Sequence, residues 1–313
     1  MYKNIVTISK EEIESVAITA KEKYEWVDTV LSNKQDYVLP VKTRMPLKET
    51  DYFNVMPCAL PSENILGLKV VTRNENRRSR ELSNIDGDIL LYSYEDFLPI
   101  ALMDGSLITT IRTAAVAVHT MFNFTPKEVL DSPNLKIAMV GLGNIGTEIG
   151  GQLFELLDNH QKYTVKLFEY KDHADRFIDS FKSYSNIIFE KCSTYDELMS
   201  GSDVVFSSVT FMESDFCQPS VYKHNCTVIP VHLRGFMECD RCFDHVITSD
   251  LESIKKFRYY GEIKRLSYVD DLIALRNKNE NLNLGNQRIV YNLGLAVHDL
   301  YYAKKIYDLF LQK

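Results

Sequence analysis

The rhythm of hydrophobic and polar positions changes most sharply around residues 135–153. An unbroken apolar run, Ile137 to Val140, ends in Gly141-x-Gly143-x-x-Gly146, and apolar residues then recur four apart at Ile145, Ile149 and Leu153. A continuous run that gives way to a period near 3.6 predicts a buried strand, a glycine turn and a helix. Downstream, Val165–Phe168, Asn186–Phe189, Asp203–Ser207, Thr227–Val231 and His245–Thr248 read as short apolar strands. Tyr195–Met199 and Asp250–Phe257 read as helices between or beyond them. Alternation of this kind, from about Val116 to Leu282, predicts a doubly wound, mostly parallel sheet.

The pattern before residue 115 is different. Asn4–Ile8 reads as a strand. Ser9, with Glu12 three residues on, forms a capping box that opens a helix to about Leu31, with Ile13, Val16, Ala17, Ala20, Tyr24 and Val27 on its buried side. A short strand within Tyr37–Arg44 leads to β-rich runs at Asp51–Met56, Ile65–Val71 and Gly87–Tyr92. The last pairs with Pro99–Met103 in a hairpin around Ser93–Leu98. This is a mixed α+β region, expected to supply substrate binding and an oligomer contact.

Length and charge narrow the classes. With 313 residues, about two domains are expected. A net charge of −7 spread along the chain argues against nucleic-acid binding, which needs a basic face. No apolar run approaches the roughly 18 residues that span a bilayer, so no membrane partner is expected. The start, Met1 to Val6, lacks the apolar core of a signal peptide. Six cysteines in such a chain read as reduced thiols of a cytoplasmic protein. Cys239-x-x-Cys242 has no second pair to complete a zinc site, so no metal is expected.

The glycine turn carries the first chemistry. Gly141 allows the tight turn, Gly143 lets backbone approach a pyrophosphate, and Gly146 lets helix lie close to strand. The N–H groups of Asn144, Ile145 and Gly146 then face the phosphates at the helix N-terminus. Glu169, 23 residues after Gly146, ends the next strand, where an acid accepts from the adenosine ribose hydroxyls. A carboxylate there repels a 2′-phosphate, which favours NAD over NADP, with Lys166 and Lys171 as nearby cations against that preference. Ser208 and Val209, at the end of the Asp203–Ser207 strand, belong beside the cofactor, because nucleotides cross the carboxyl ends of such sheets.

The second chemistry is cationic. Lys69 sits between Leu68 and Val70, on a solvent face or in a site. Arg112 opens an otherwise small and apolar stretch, Ile111–Val118, and needs an anionic partner, which a substrate carboxylate would supply by bidentate pairing. Arg44 reads as a surface cation or a site residue. Arg77, Arg78 and Arg80 form either a solvated basic loop or further cations at the same cleft.

Four stretches together resemble the ornithine cyclodeaminase/μ-crystallin family: Asn54-Val-Met-Pro57, Gly67-Leu-Lys-Val-Val71, Gly87-Asp-Ile-Leu-Leu91 and Ala101–Ala115. Within the last, Asp104-Gly-x4-Thr110-x-Arg112-Thr-Ala-Ala115 is the specific signature, and the ending Asn292-Leu-Gly-Leu-Ala-Val-His-Asp299 resembles the family's closing helix. The resemblance covers nearly the whole chain. It implies an α/β protein with a Rossmann-type NAD domain at 116–289 and a discontinuous substrate-binding and dimerisation domain, 1–115 with 290–313. It also implies a homodimer that uses NAD at the carbon–nitrogen bond of an amino acid. Arg44, Lys69 and Arg112 then hold the substrate carboxylate, Lys69 moves a proton if its neighbours Arg44 and Arg112 lower its pKa, and Thr113 and Gly294 join the cofactor set. His298 is either a capped or surface histidine or the holder of a catalytic proton.

One departure bears on the substrate. Where cyclodeaminases of the family carry an aspartate after the Thr227–Val231 strand, an ungapped reading of Val231-His-Leu-Arg-Gly235 places Arg234. An arginine repels a substrate ammonium and attracts a carboxylate, which points to an acidic substrate and away from ornithine. Glu238 or Asp240 is the alternative source of the displaced carboxylate. The Met103–Arg112 run and Gly294–Leu300 resemble the branch that oxidises N-(2-amino-2-carboxyethyl)-L-glutamate to 2,3-diaminopropionate and 2-oxoglutarate for siderophores and antibiotics, although Ala117 stands where that branch has serine. Ornithine cyclodeamination, ketimine reduction, alanine dehydrogenation and non-catalytic nicotinamide binding are the other readings.

Overall fold

The structure is a computed structural model that describes residues 5–48, 51–80, 82–210, 212–292 and 294–313, without the Arg78 side chain. Asn4 and Leu293, at the ends of two expected elements, lie outside the described residues. The chain divides into two compact units, Met1–Arg112 with Gly294–Lys313, and Thr113–Leu293.

The first unit opens with β1 (Val6–Ile8), α1 (Lys10–Glu14) and α2 (Ala20–Ser32). The single helix expected from Ser9 to Leu31 is two. The capping box of Ser9 and Glu12 forms, but Thr19 and Glu22 make a second one that starts α2. Each box satisfies orphan N–H groups at a new helix start, so the chain breaks between them, and Ala17 is exposed. Then follow β2 (Thr43–Pro46), β3 (Tyr52–Leu60), β4 (Ile65–Arg73), β5 (Ile85–Ser93) and β6 (Pro99–Asp104) in a sheet ordered β1-β6-β5-β4-β3-β2. Only β1 runs parallel to its neighbour, β6. In β4 the alternate residues Ile65, Gly67 and Lys69 are buried.

The chain passes to the second unit within α3 (Gly105–Phe124), at Arg112–Thr113. There α4 (Lys127–Leu130), β7 (Lys136–Val140), α5 (Asn144–Leu156), β8 (Tyr163–Phe168), α6 (His173–Phe181), β9 (Ile187–Cys192), α7 (Tyr195–Met199), β10 (Val204–Ser207), β11 (Thr227–Pro230), α8 (Met237–Cys242), β12 (His245–Thr248), α9 (Leu251–Ile254), β13 (Leu266–Tyr268), α10 (Val269–Asn277) and β14 (Arg288–Tyr291) follow. The strands form a parallel sheet ordered β13-β12-β14-β11-β10-β7-β8-β9. Separate apolar clusters cover its two faces, Ile149, Phe154 and Phe177 in one, Leu198, Phe236 and Phe243 in the other. That double covering is what a parallel sheet needs, and it is the doubly wound α/β architecture. The pattern did not disclose β14, which sits between β11 and β12 and would be cut by a boundary at 289/290. The closing helix α11 (Ala296–Leu311) returns to the first unit, where it packs on β3, β4 and β5 and sets Tyr302 edge-on to Trp26 of α2.

Candidate active site

In the first unit, Lys69 and Arg112 converge on one residue. Asp299 of α11 accepts from Lys69 Nζ and from Arg112 Nε, both at 2.8 Å and both through Oδ1. Lys69 is 2% exposed, Arg112 6% and Asp299 0%, so the solvent-face reading of Lys69 is excluded. The anion expected opposite Arg112 is supplied here by the protein itself. Burial lowers the Lys69 pKa most, Asp299 raises it and Arg112 lowers it, leaving it at about 8. Burial opposes ionisation of Asp299, but Arg112 and Lys69 hold its pKa below the ordinary carboxylate value. A methyl group at Gly294 would lie 1.9 Å from Arg112 Nη1. The residue expected beside the cofactor therefore makes room for the guanidinium.

Arg44 is exposed on β2, with its guanidinium 4.9 Å from the Tyr52 ring centre. The register pairs Arg44 with Asn54, Asn54 with Val71, and Met56 with Lys69. Alternate residues share a face, so Arg44 and Lys69 project from the same side of the sheet, but Arg44 is not among the charges that shift the Lys69 pKa. Arg77 pairs with Asp86 at 2.7 Å, Arg80 is exposed, and the Arg78 side chain lies outside the described residues. His298 is fully buried on α11, not a surface histidine. Asp299 itself escaped the sequence reading as a site residue. Its signal was an acid in an apolar stretch, matched by two cations in apolar stretches elsewhere.

In the second unit, Gly141 has φ +87°, and a side chain there would meet the Ser208–Val209 backbone at 2.6 Å. A methyl group at Gly146 would lie 2.2 Å from the Gly141 carbonyl oxygen, whereas one at Gly143 would meet nothing within 4 Å. The turn is thus tight against its neighbours except where a phosphate would approach. Ser208 Oγ donates to the Gly141 carbonyl, and Gly143 caps α5 without a side-chain hydrogen bond. A cavity of about 270 Å³ opens here, lined by Gly143, Asn144, Thr147, His173 and Arg176 among others. Ile145 is half-buried in the first turn of α5, and Thr113 is half-buried at the start of the unit.

Glu169 follows β8, with a partly exposed carboxylate 3.6 Å from Lys191. Lys166 is buried and donates to the carbonyls of Glu197 and Ser200, and Lys171 lies 5.3 Å from the Tyr170 ring centre. The Lys166 ammonium is therefore spent on backbone.

Arg234 is exposed in the segment between β11 and α8. That segment is pinned. His232 Nε2 meets Ser207 Oγ at 2.6 Å, the Phe216 N–H donates to the Gly235 carbonyl, and Asp215 accepts from the Met237 and Glu238 N–H groups. Burial lowers the His232 pKa to about 4, so the ring is neutral. Neither alternative carboxylate stands open. Asp240 is buried on the Tyr291 hydroxyl with its pKa raised to about 7, chiefly by burial, and Glu238 holds Arg241 and Tyr259. Cys239 is buried and Cys242 exposed, both free, and no group of three or more metal-ligating side chains occurs among the described residues. No described helix is long and apolar enough to cross a membrane.

The profile of the ornithine cyclodeaminase/mu-crystallin family matches residues 3–234, more than half of the chain. The chain belongs to that family. It is 27% identical over 280 residues to the nodulation efficiency protein NfeD of Rhizobium meliloti, covering 86% of this chain and 83% of that protein. It is also 27% identical over 218 residues to the N-((2S)-2-amino-2-carboxyethyl)-L-glutamate dehydrogenase of Staphylococcus aureus, covering 66% of this chain and 63% of that one. Among solved structures, the fold matches the Delta(1)-pyrroline-2-carboxylate reductase of Thermococcus litoralis, in complex with NADH and L-proline, with a TM-score of 0.82 at 18% identity and 98% of each chain covered.

Proposed function

We propose that this member of the family is an NAD-dependent amino-acid dehydrogenase that acts on a carbon–nitrogen bond at an α-carbon. The carrying observation is the buried Lys69–Asp299–Arg112 cluster, in a chain whose second unit bears the dinucleotide turn. Two cations on one acid leave a net positive charge of one, suited to a single substrate carboxylate, with Arg44 on the same face as a further cation. NAD would be held by Gly141–Gly146, Ser208 and Val209, with Glu169 accepting from its adenosine ribose; Thr113 belongs to the same unit. NAD supplies hydride transfer when bound; the protein positions the α-carbon and moves the amine proton, for which Lys69 has a suitable pKa.

The preferred substrate is acidic and N-substituted, because Arg234 attracts a second carboxylate. N-(2-amino-2-carboxyethyl)-L-glutamate fits. Oxidation of its glutamate α-carbon by NAD, followed by uptake of water at the imine and breakage of the carbon–nitrogen bond, would give 2-oxoglutarate, 2,3-diaminopropionate, NADH and a proton. A product of that kind serves siderophore or antibiotic assembly, in the cytoplasm. We further propose a homodimer through the sheet face opposite Lys69. There Pro57, Leu68, Leu90 and Leu102 form an apolar row in register across four strands, half-buried to 39% exposed.

The test is to incubate protein and NAD with ornithine, alanine and N-(2-amino-2-carboxyethyl)-L-glutamate, following NADH absorbance and products. NADH formed only with the last supports the proposal. Proline formed from ornithine without net NADH would overturn it in favour of cyclodeamination. Gain of ornithine turnover by Arg234→Asp would confirm the substrate argument.

A further inference from the structure

The geometry around Asp299 differs from that of an ordinary structural ion pair. Arginine–carboxylate pairs are frequently bidentate, with two parallel N–H groups on two carboxylate oxygens. Here Nε of Arg112 and Nζ of Lys69 share Oδ1, and Oδ2 is buried without a hydrogen-bond partner among the described residues. A Cβ at Gly294 would collide with Nη1 and Nη2 of the guanidinium, so only a glycine leaves room there for Arg112 in this orientation.

We propose that Asp299 is a positioning residue that divides one carboxylate oxygen between Lys69 and Arg112, fixing the guanidinium plane and governing which protonation state Lys69 offers the substrate. The link to substrate rests on the function proposed above; the sharing of charge does not. Three elements contribute the charges: β4 gives Lys69, α3 gives Arg112 and α11 gives Asp299. From β3, Cys58 faces Asp299, but burial pushes its thiol up to about 12, so it stays neutral. The residues paired with Lys69 across the sheet are Met56 and Ile89, neither of which titrates. His298, next to Asp299 on α11, is buried.

The two partners of Lys69 pull its proton affinity in opposite directions, and that opposition is the test. Protein labelled with [13Cε]-lysine is titrated from pH 6 to 11 by NMR, with the Lys69 signal assigned from Lys69→Arg. Asp299→Asn should lower the Lys69 midpoint by about one pH unit or more, and Arg112→Gln should raise it. Circular dichroism reports folding. If Asp299→Asn does not fold, the sign of the Arg112→Gln shift alone decides. An unmoved midpoint, or one that moves the other way, overturns the proposal. The same variants assayed with NAD and N-(2-amino-2-carboxyethyl)-L-glutamate should carry the shift into the pH profile of kcat/KM. Correct NMR shifts with no turnover by the wild type would count against the proposed reaction and leave the role of Asp299 standing.

Discussion

The glycine turn of the second unit and the ionic cluster of the first solve opposite problems. The turn is built from backbone, within six residues, and leaves open space at Gly143 for something to enter. The cluster is built from side chains on three elements and is already filled by its own anion, Asp299. A backbone cradle is indifferent to the rest of the molecule and serves any dinucleotide chemistry. A cluster of buried charges is specific to one arrangement of elements and to the ligand whose charge it complements. If that contrast holds, damage to one region should leave the chemistry of the other intact.

The largest effect should come from Lys69→Met. We expect kcat/KM for N-(2-amino-2-carboxyethyl)-L-glutamate to fall by about 10³-fold, with NADH affinity unchanged within about twofold. A parallel loss of NADH binding, read by fluorescence titration, would erase the distinction between the regions. Gly146→Ala should do the reverse. Its methyl group collides with the Gly141 carbonyl, and NADH affinity should weaken about 100-fold, or ~2.7 kcal/mol, while the NMR titration of Lys69 stays in place. Glu169→Gln sharpens the account of the turn: the preference for NADH over NADPH should narrow about tenfold when both are titrated.

The smallest effect is on stability. The Lys69 pKa in the folded protein, about 8, lies below its ordinary value of 10.5. Between those values the unfolded chain holds the extra proton, so the free energy of unfolding gains from this residue as pH rises. Urea midpoints at pH 8 and pH 10 should therefore show the wild type gaining on Lys69→Met. Under the proposed function, substrate affinity should move the opposite way, falling above about pH 8 as Lys69 loses its positive charge.

These differences also explain what the amino-acid sequence discloses. The doubly wound sheet was legible because its strands are short apolar runs punctuated by helices, and the turn because its signal spans only Gly141 to Gly146. Lys69 and Arg112 drew notice as cations with apolar neighbours. Their partner did not, because Asp299 is 230 residues from one and 187 from the other, and no periodicity reports a contact at such separation. The helix break at Thr19 is written locally as a second capping box, but the apolar spacing runs straight through it and hides the break. Arg288 masked β14, since a cation at the head of a strand reads as surface. In the fold it is buried, donating to Thr227, Asn225 and nearby carbonyls.

The nesting of one unit inside the other has a consequence for biosynthesis. Arg112 leaves the ribosome 187 residues before Asp299. At about 5–20 residues per second this is an interval on the order of 10–40 s. Throughout it the sheet that will enclose Lys69 and Arg112 has two cations and no anion to set between them. The parallel sheet, whose strands are all synthesised in that interval, is free to fold first, and the earlier unit closes only when α11 delivers the carboxylate.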